Sequence, residues 1–209
     1  MRFRFVPISI LALMISLAGC SDTKSERANT LYQSGDFAGA RLLFDQSCSN
    51  GNAGSCGVLG LMALQGQASS IDDVHARELF EKACKGKDAS GCTSLGYMLM
   101  SGRGGAKNEV RARTLQERAC KSGYAPACSN LGALLSAGIG GPKDSVRALK
   151  LLGQACTSGH AAGCDNLGKL FEHGDGVVKD TNNARLFYQK ACDAGFASGC
   201  AGLTRVGAS

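Results

Sequence analysis

Residues 83–96 read ACKGKDASGCTSLG and hold the pattern that decides the fold. In this stretch a cysteine at position 84 is followed by seven residues, a second cysteine at position 92 and, shortly after, a Leu-Gly pair. The cysteine pair occurs five times, each copy 36 residues after the last. Five copies without an insertion or deletion do not arise by chance, and a period of roughly 20–50 residues is typical of a solenoid. The first cysteines are Cys48, Cys84, Cys120, Cys156 and Cys192, and the second are Cys56, Cys92, Cys128, Cys164 and Cys200.

Each copy predicts two helices joined by a turn. From Ala76 to Cys84, small and apolar residues fall at positions 76, 79, 80, 83 and 84, which is the spacing of one face of an α-helix. A second helical run follows Cys92. We call the helix that ends at the first cysteine helix A and the one that holds the second cysteine helix B. The residues between the two cysteines predict a turn because they contain Gly51, Gly86, Gly123, Gly159 or Gly195.

The repeat boundaries follow from residues that favour the start of a helix. The side chains of Asp72, Asn108, Asp144 and Asp180 can cap free backbone N–H groups at the start of helix A. Residues 28–34 predict one more helix, which would shield the apolar N-terminal end of the solenoid. Residues 28–209 therefore form one all-α repeat domain without a separate catalytic domain. Its repeats are expected at about 36–71, 72–107, 108–143, 144–179 and 180–209.

The first 20 residues are predicted to be a targeting segment. Arg2 and Arg4 precede an apolar stretch that is shorter than a typical membrane-spanning helix. Residues 17–20, Leu-Ala-Gly-Cys, resemble a bacterial lipobox, which implies cleavage before Cys20 and lipid attachment to it. The alternative is an ordinary cleaved signal with a chance cysteine. Ser21 after the cysteine favours the outer membrane, and residues 21–27 are predicted to be a polar linker.

The repeated pattern resembles Sel-1-like repeats, which are relatives of the tetratricopeptide repeat, and its cysteines resemble those of the Hcp-type subgroup. The resemblance rests on Ala-Cys, Gly, Ala, Cys and Leu-Gly at fixed spacing, followed by a glycine-containing loop such as residues 174–176. It covers about residues 36–206 and implies a right-handed α/α solenoid. It also implies one disulfide in each repeat: Cys48–Cys56, Cys84–Cys92, Cys120–Cys128, Cys156–Cys164 and Cys192–Cys200.

These pairings predict a turn between the two cysteines of each repeat and an oxidising cellular compartment. Eight residues of continuous helix span about 12 Å, whereas a disulfide needs its Cα atoms within roughly 7 Å, so the chain must turn between paired cysteines. Ten paired cysteines of eleven leave Cys20 unpaired. They also indicate an oxidising compartment, hence the bacterial envelope, with the protein facing the periplasm or the cell surface.

Composition and motifs weigh against several other functions. The net charge of +6 is spread through the repeats without basic runs, which argues against nucleic-acid binding. The spacing within each cysteine pair is too long for zinc, and His75, His160 and His173 stand at three different repeat positions, so we expect no metal or cofactor.

A penicillin-binding protein with weak β-lactamase activity is the enzymatic alternative, because Hcp-type relatives have been described in those terms. Residues 21–24 fit the S-x-x-K motif, and residues 121–123 resemble its K-[ST]-G partner. In the repeat frame, the first motif lies in the linker and the second is the turn between the cysteines. The sequence therefore assigns no catalytic residue, and only the resemblance to Hcp-type proteins supports the enzymatic alternative.

The function that the solenoid favours is protein or peptide binding in a concave groove. Asn130 and Asn166 share one position, two residues after the second cysteine, and are the candidate groove residues. Each amide would bond a bound peptide backbone or, alternatively, a local backbone group. Arginines at a second shared position form either a basic stripe or a solvated helix face; these are Arg41, Arg77, Arg113 and Arg185. The sequence does not identify the partner, in the bacterial envelope or in a host.

Overall fold

The structure is a computed structural model that describes residues 23–207. These residues form eleven α-helices and no strand, which confirms the predicted all-α solenoid of repeated helix pairs. None of these helices is long and apolar enough to cross a membrane. The helices are α1 (Thr23–Gln33), α2 (Phe37–Ser49), α3 (Ala53–Gln65), α4 (Asp73–Lys85), α5 (Ala89–Ser101), α6 (Glu109–Lys121), α7 (Ala125–Ala137), α8 (Ser145–Thr157), α9 (Ala161–His173), α10 (Thr181–Asp193) and α11 (Ala197–Gly207).

The even-numbered helices from α2 to α10 are the A helices, and the odd-numbered helices from α3 to α11 are the B helices. The predicted caps of the A helices are present. The carboxylate of Asp72 accepts a hydrogen bond from the backbone N–H of His75 at 2.9 Å, and Asn108, Asp144 and Asp180 make the same bond at 2.9–3.0 Å. Each cap satisfies an N–H group that the helix itself leaves unpaired.

Helix α1 is the additional N-terminal helix, and it packs against α2 with Ala28 fully buried. The Tyr32 ring meets Phe37 edge-on with a centroid distance of 5.3 Å. The helix begins at Thr23 rather than at Ala28, so residues 23–27 of the predicted linker are helical. Lys24, Glu26 and Arg27 are adequate helix formers, and neither glycine nor proline interrupts them.

All five predicted disulfides are present, with Cα–Cα distances of 4.4–4.8 Å. The chain turns between the paired cysteines through one residue with a positive φ, which is Gly51, Gly123, Gly159 or Gly195 in four copies. In the second copy, Gly86 was expected to supply the turn, but its φ is −74°. Lys87 instead takes the left-handed conformation there, with φ at 68°.

Four of the B helices, α3, α5, α7 and α9, pack more extensively against the A helix that follows them than against the A helix to which a disulfide ties them. The close packing depends on the glycine of the Leu-Gly pair. A Cβ on Gly132 would lie 2.6 Å from Leu152 Cγ, and a Cβ on Gly60 would lie 2.7 Å from the ring of Phe80. These glycines therefore make room for a large buried side chain of the next A helix.

The two sets of helices are spaced differently along the solenoid. The backbones of consecutive B helices approach one another, as those of α7 and α9 do, whereas the backbones of consecutive A helices are farther apart. A stack of helix pairs bends toward the side on which its helices are closer. We therefore call the side of the B helices the inner side of the described solenoid and the side of the A helices its outer side.

Candidate protein-binding site

The exposed residues of the B helices form a surface on the inner side. In α7, Asn130, Ala133 and Ser136 are accessible, whereas Leu131, Gly132, Leu134 and Leu135 are buried against neighbouring helices. Steps of three residues keep side chains on one face of a helix. We call the equivalent positions of α3, α5, α7 and α9 the inner face. It consists of Val58, Leu61, Leu64, Ser94, Tyr97, Met100, Asn130, Ala133, Ser136, Asn166, Lys169 and Glu172.

The inner face has an apolar and a polar half. In α3 and α5 it is built largely from aliphatic and aromatic side chains, and Tyr97 is 57% exposed. In α7 and α9 it is built mainly from amide, hydroxyl and charged groups. An extended ligand that crosses the four helices would therefore meet apolar contacts first and hydrogen-bonding groups second.

The structure places both predicted groove residues, Asn130 and Asn166, on the polar half of the inner face. Asn130 is exposed and Asn166 is half-buried. Within residues 23–207, neither side chain donates or accepts a hydrogen bond, so local backbone capping, the second interpretation of these asparagines, is not observed. The sequence analysis missed Tyr97 and Leu61. Both stand three residues after the repeat position of Asn130 and Asn166, and aligning the repeats would have shown a large apolar residue there.

The charged groups of the polar half are tied into a network at the C-terminal end. Glu172 accepts hydrogen bonds from Arg205 Nη2 at 2.6 Å and from the Tyr188 hydroxyl at 2.5 Å. Its side chain is only 17% exposed. The hydrogen bond from Arg205, and then the one from Tyr188, holds the pKa of Glu172 at about 2, below its ordinary value of 4.5, although partial burial acts in the opposite direction.

Asp165 lies beneath this end of the inner face and is 2% exposed. Its Oδ2 accepts hydrogen bonds from Lys169 Nζ at 2.6 Å and from the Ser198 hydroxyl at 3.1 Å. Its Oδ1 has no hydrogen-bond partner among the described residues. A buried carboxylate is retained where a cation and a hydroxyl compensate its desolvation, and these groups fix Lys169 over the helix.

Three of the four repeated arginines, all but Arg185, tie the A helices to the loops between repeats. Nη1 of Arg41 donates to the carbonyl of Ala68 at 3.2 Å, and Nη1 of Arg77 donates to the carbonyl of Ala106 at 3.1 Å. Arg113 donates to the carbonyl of Pro142 at 3.0 Å. These three side chains hold loops in place, so they do not form the free basic stripe that the sequence raised as one interpretation.

The serine of the second motif of the enzymatic alternative has a structural role. Ser122 is the C-terminal cap of α6, and its hydroxyl donates to the carbonyl of Ala119 at 2.7 Å. Ser21 and the predicted lipobox, including Cys20, lie outside the described residues, whereas Lys24 lies in α1. No group of three or more His, Cys, Asp or Glu residues between positions 23 and 207 is placed to hold a metal ion.

The fold and the inner face define an α/α-repeat scaffold built from stacked helix pairs. The profile of the Sel1 repeat matches residues 55–88, 89–124, 125–160 and 161–196, which is about two thirds of the chain. The chain therefore belongs to the Sel1 repeat family. The matched segments that start at residues 89, 125 and 161 each begin with a B helix. The boundary between two segments therefore lies between the two cysteines of a pair, and a disulfide such as Cys84–Cys92 joins one segment to the next.

Solved structures have the same fold. A Sel1 repeat protein from Oxalobacter formigenes is 23% identical over 84% of this chain and 70% of its own, with a TM-score of 0.76. The protective antigen c5321 of uropathogenic Escherichia coli, which has the same repeat fold, is 22% identical with a TM-score of 0.72. The alignment with the antigen includes 83% of this chain but only 38% of the antigen. A comparison with curated protein sequences gave no significant match.

Proposed function

We propose that the protein is an envelope-tethered scaffold that binds an extended segment of a partner protein along the inner face. Sel1 repeats serve as scaffolds for protein–protein contacts, and the inner face is the surface that successive repeats build together. The partner belongs to the bacterial envelope or to a host cell. Nothing in the described residues or in the comparisons favours the penicillin-binding alternative.

The observation that carries this proposal is the pair of uncommitted amides on the polar half. Asn130 and Asn166 stand at the same repeat position on neighbouring B helices and lack partners within residues 23–207. An asparagine side chain offers both a donor and an acceptor, the two groups that a peptide bond needs. Two such side chains on adjacent helices would fix the register of an extended peptide backbone.

The apolar half and the disulfides would supply affinity in different ways. Tyr97, Leu61 and Met100 present an apolar surface on which side chains of the same peptide would be buried. The five disulfides limit the motion of the scaffold, which lowers the conformational entropy lost on binding. Aromatic residues in particular contribute strongly to binding energy at protein interfaces.

The envelope location is supported by the disulfides and by the sequence around Cys20. Five disulfides persist in an oxidising compartment such as the periplasm or the cell surface. Lipid on Cys20 would hold the repeats at a membrane, with the outer membrane favoured by Ser21. Intact-mass analysis of the processed protein should give a chain that starts at Cys20 and carries acyl groups. A mature chain without lipid would contradict the tether but would not bear on binding at the inner face.

Site-specific photocrosslinking in the native bacterium tests the inner face. A benzoylphenylalanine at Ala133 should capture a partner, whereas the same residue at Lys150, on outer helix α8, should not. With the captured protein purified, the double variant Asn130→Ala/Asn166→Ala should weaken binding about tenfold or more, because two hydrogen bonds are lost. Equal capture at both positions, or an unchanged affinity of the double variant, would contradict the proposal.

A further inference from the structure

A cleft of about 510 Å³ lies on the outer side of the solenoid, between α2 and α4. Its floor is apolar and includes Leu59, Met62 and Leu79. Leu42, which is 62% exposed, adds an apolar wall. The rim carries charged side chains, among them Arg41 and Asp45. The cleft is separate from the inner face, which is formed by the opposite surfaces of the B helices.

The next two equivalent spaces along the solenoid, between α4 and α6 and between α6 and α8, are bridged by ion pairs. Arg111 of α6 reaches back to Glu81 of α4 at 2.5 Å, and Arg147 of α8 reaches back to Glu117 of α6 at 2.6 Å. In both pairs the arginine follows the glutamate by 30 residues. An arginine held by the next A helix thus fills the space over each of these two glutamates.

The first space has shorter side chains at the same positions. Asp45 stands in place of the glutamate, and His75 stands in place of the arginine. The His75 ring turns instead to Glu78 of its own helix, with an Nδ1–Oε2 distance of 3.8 Å. Asp45 is exposed and has no hydrogen-bond or ion-pair partner within residues 23–207. The bridge that closes the next two spaces is therefore missing from the first one. It is also missing between α8 and α10, where Gly153 and Asn183 stand at these positions and no carboxylate is present.

Two further substitutions widen the first space. Ala63 occupies the position that Leu99 and Leu135 fill in the next two repeats, which removes volume from the floor. Ala68 replaces Gly104, whose lack of a Cβ lets the later loop press against the carbonyl of Asp73. Because Ala68 carries the Cβ that this approach excludes, its loop cannot close in the same way.

We propose that this cleft binds a partner peptide through one arginine or lysine side chain that pairs with Asp45, while a neighbouring aliphatic side chain lies on the apolar floor. The partner's cation would take the place over Asp45 that Arg111 takes over Glu81. Asp72, one oxygen of which caps α4, adds a second carboxylate to the lining, and these two carboxylates face one guanidinium, that of Arg41. The charge of the cleft therefore favours a cationic side chain.

The test uses protein expressed from the full 209-residue sequence and purified as the cell processes it. The probe is the peptide acetyl-Ala-Leu-Arg-Leu-Ala-amide, titrated against labelled protein and followed by amide NMR. We expect shifts in α2, in α4 and in the loop that joins α3 to α4. Replacing the arginine by neutral citrulline should weaken binding about five- to tenfold, because the charge on the hydrogen bond is lost.

Two variants separate the cleft from general charge effects. Asp45→Asn should weaken binding of the arginine peptide about five- to tenfold and leave the citrulline peptide unchanged. The double variant Asp45→Glu/His75→Arg should restore the bridge of the later repeats, fill the cleft and abolish binding without lowering the melting temperature. The matched control Glu117→Gln removes the same charge in the third repeat and should leave binding unaltered.

Each of the other outcomes would overturn the proposal. No amide shifts at millimolar peptide would show that the cleft is not a binding site. Equal affinity for the arginine and citrulline peptides would show that Asp45 does not select a cation. Binding of free arginine amide as tightly as the peptide would reassign the cleft to a small cation and exclude a role for the apolar floor.

Discussion

The solenoid contains two kinds of helix–helix interface, which differ in how they are held together. Helices α6 and α7 are joined by a short turn and by the disulfide Cys120–Cys128, and they pack less extensively. Helices α7 and α8 are joined by the loop of residues 138–144 without a disulfide, but Gly132 admits the fully buried Leu152 in a more extensive contact. Covalent closure thus supports the thinner interface, and close packing supports the other.

This difference explains why the cysteines and the Leu-Gly pair recur together. In a solenoid, stability is approximately the sum of the stabilities of the repeats and of the interfaces between neighbours. A helix that lost either kind of interface would pack against a neighbouring helix on one side only. The two sets of recurring residues therefore protect alternate interfaces along the same chain.

The largest effect should follow from removing one disulfide, and the double variant Cys120→Ser/Cys128→Ser tests it. A bridge that closes a loop of nine residues is worth about 2–3 kcal/mol in the chain-entropy model. The free energy of unfolding, measured in urea under oxidising conditions, should fall by about that amount. A loss below about 0.5 kcal/mol would show that packing alone supports this interface and would reverse the comparison.

The unbridged interface should be most sensitive at Gly132. Replacing it by alanine would place a Cβ 2.6 Å from Leu152 Cγ, and such overpacking costs typically about 1–3 kcal/mol. Gly153→Ala is the matched control, because it lies in the middle of α8 and its Cβ would meet no atom within 4 Å. The control should raise stability by about 0.5–1 kcal/mol through helix propensity. Thermal unfolding of both variants in one buffer separates the cost of the clash with Leu152 from the gain in helix propensity.

Acid should weaken the C-terminal end of the solenoid through Glu172. Its pKa falls from 4.5 to about 2 on folding, mainly because Arg205 donates to its carboxylate. The stabilisation is therefore complete above about pH 4.5 and is lost as the pH falls through about 2. Glu172→Gln should lower stability at neutral pH by about 1–2 kcal/mol and flatten the pH dependence in that window. If the variant lost stability between pH 4.5 and 2 as steeply as the original protein, Glu172 would not be the group responsible.

Much of this architecture could be predicted from the sequence because it depends on residues close in the chain. The repeat period, the caps at Asp72 and Asp144, and the turn between the cysteines all follow from local patterns. The packing of Gly132 against Leu152 could not be predicted, because the period does not tell which helices touch most closely. The cleft at Asp45 was also missed, because the partner position 30 residues later is known only from the packed helices.

The smallest expected effect concerns Lys87, in the turn of a bridged interface. A left-handed backbone costs a residue with a Cβ about 1–2 kcal/mol, and the four equivalent turns use glycine. Lys87→Gly should relieve part of this cost, offset by the flexibility that glycine adds to the unfolded chain, and raise the free energy of unfolding by about 0.5–1 kcal/mol. The reciprocal variant Gly123→Lys, in the next bridged turn, should lower it by a similar amount. If both variants left urea unfolding unchanged, the disulfides rather than the turn residues would define these turns, and the bridged interfaces would depend on their covalent bonds alone.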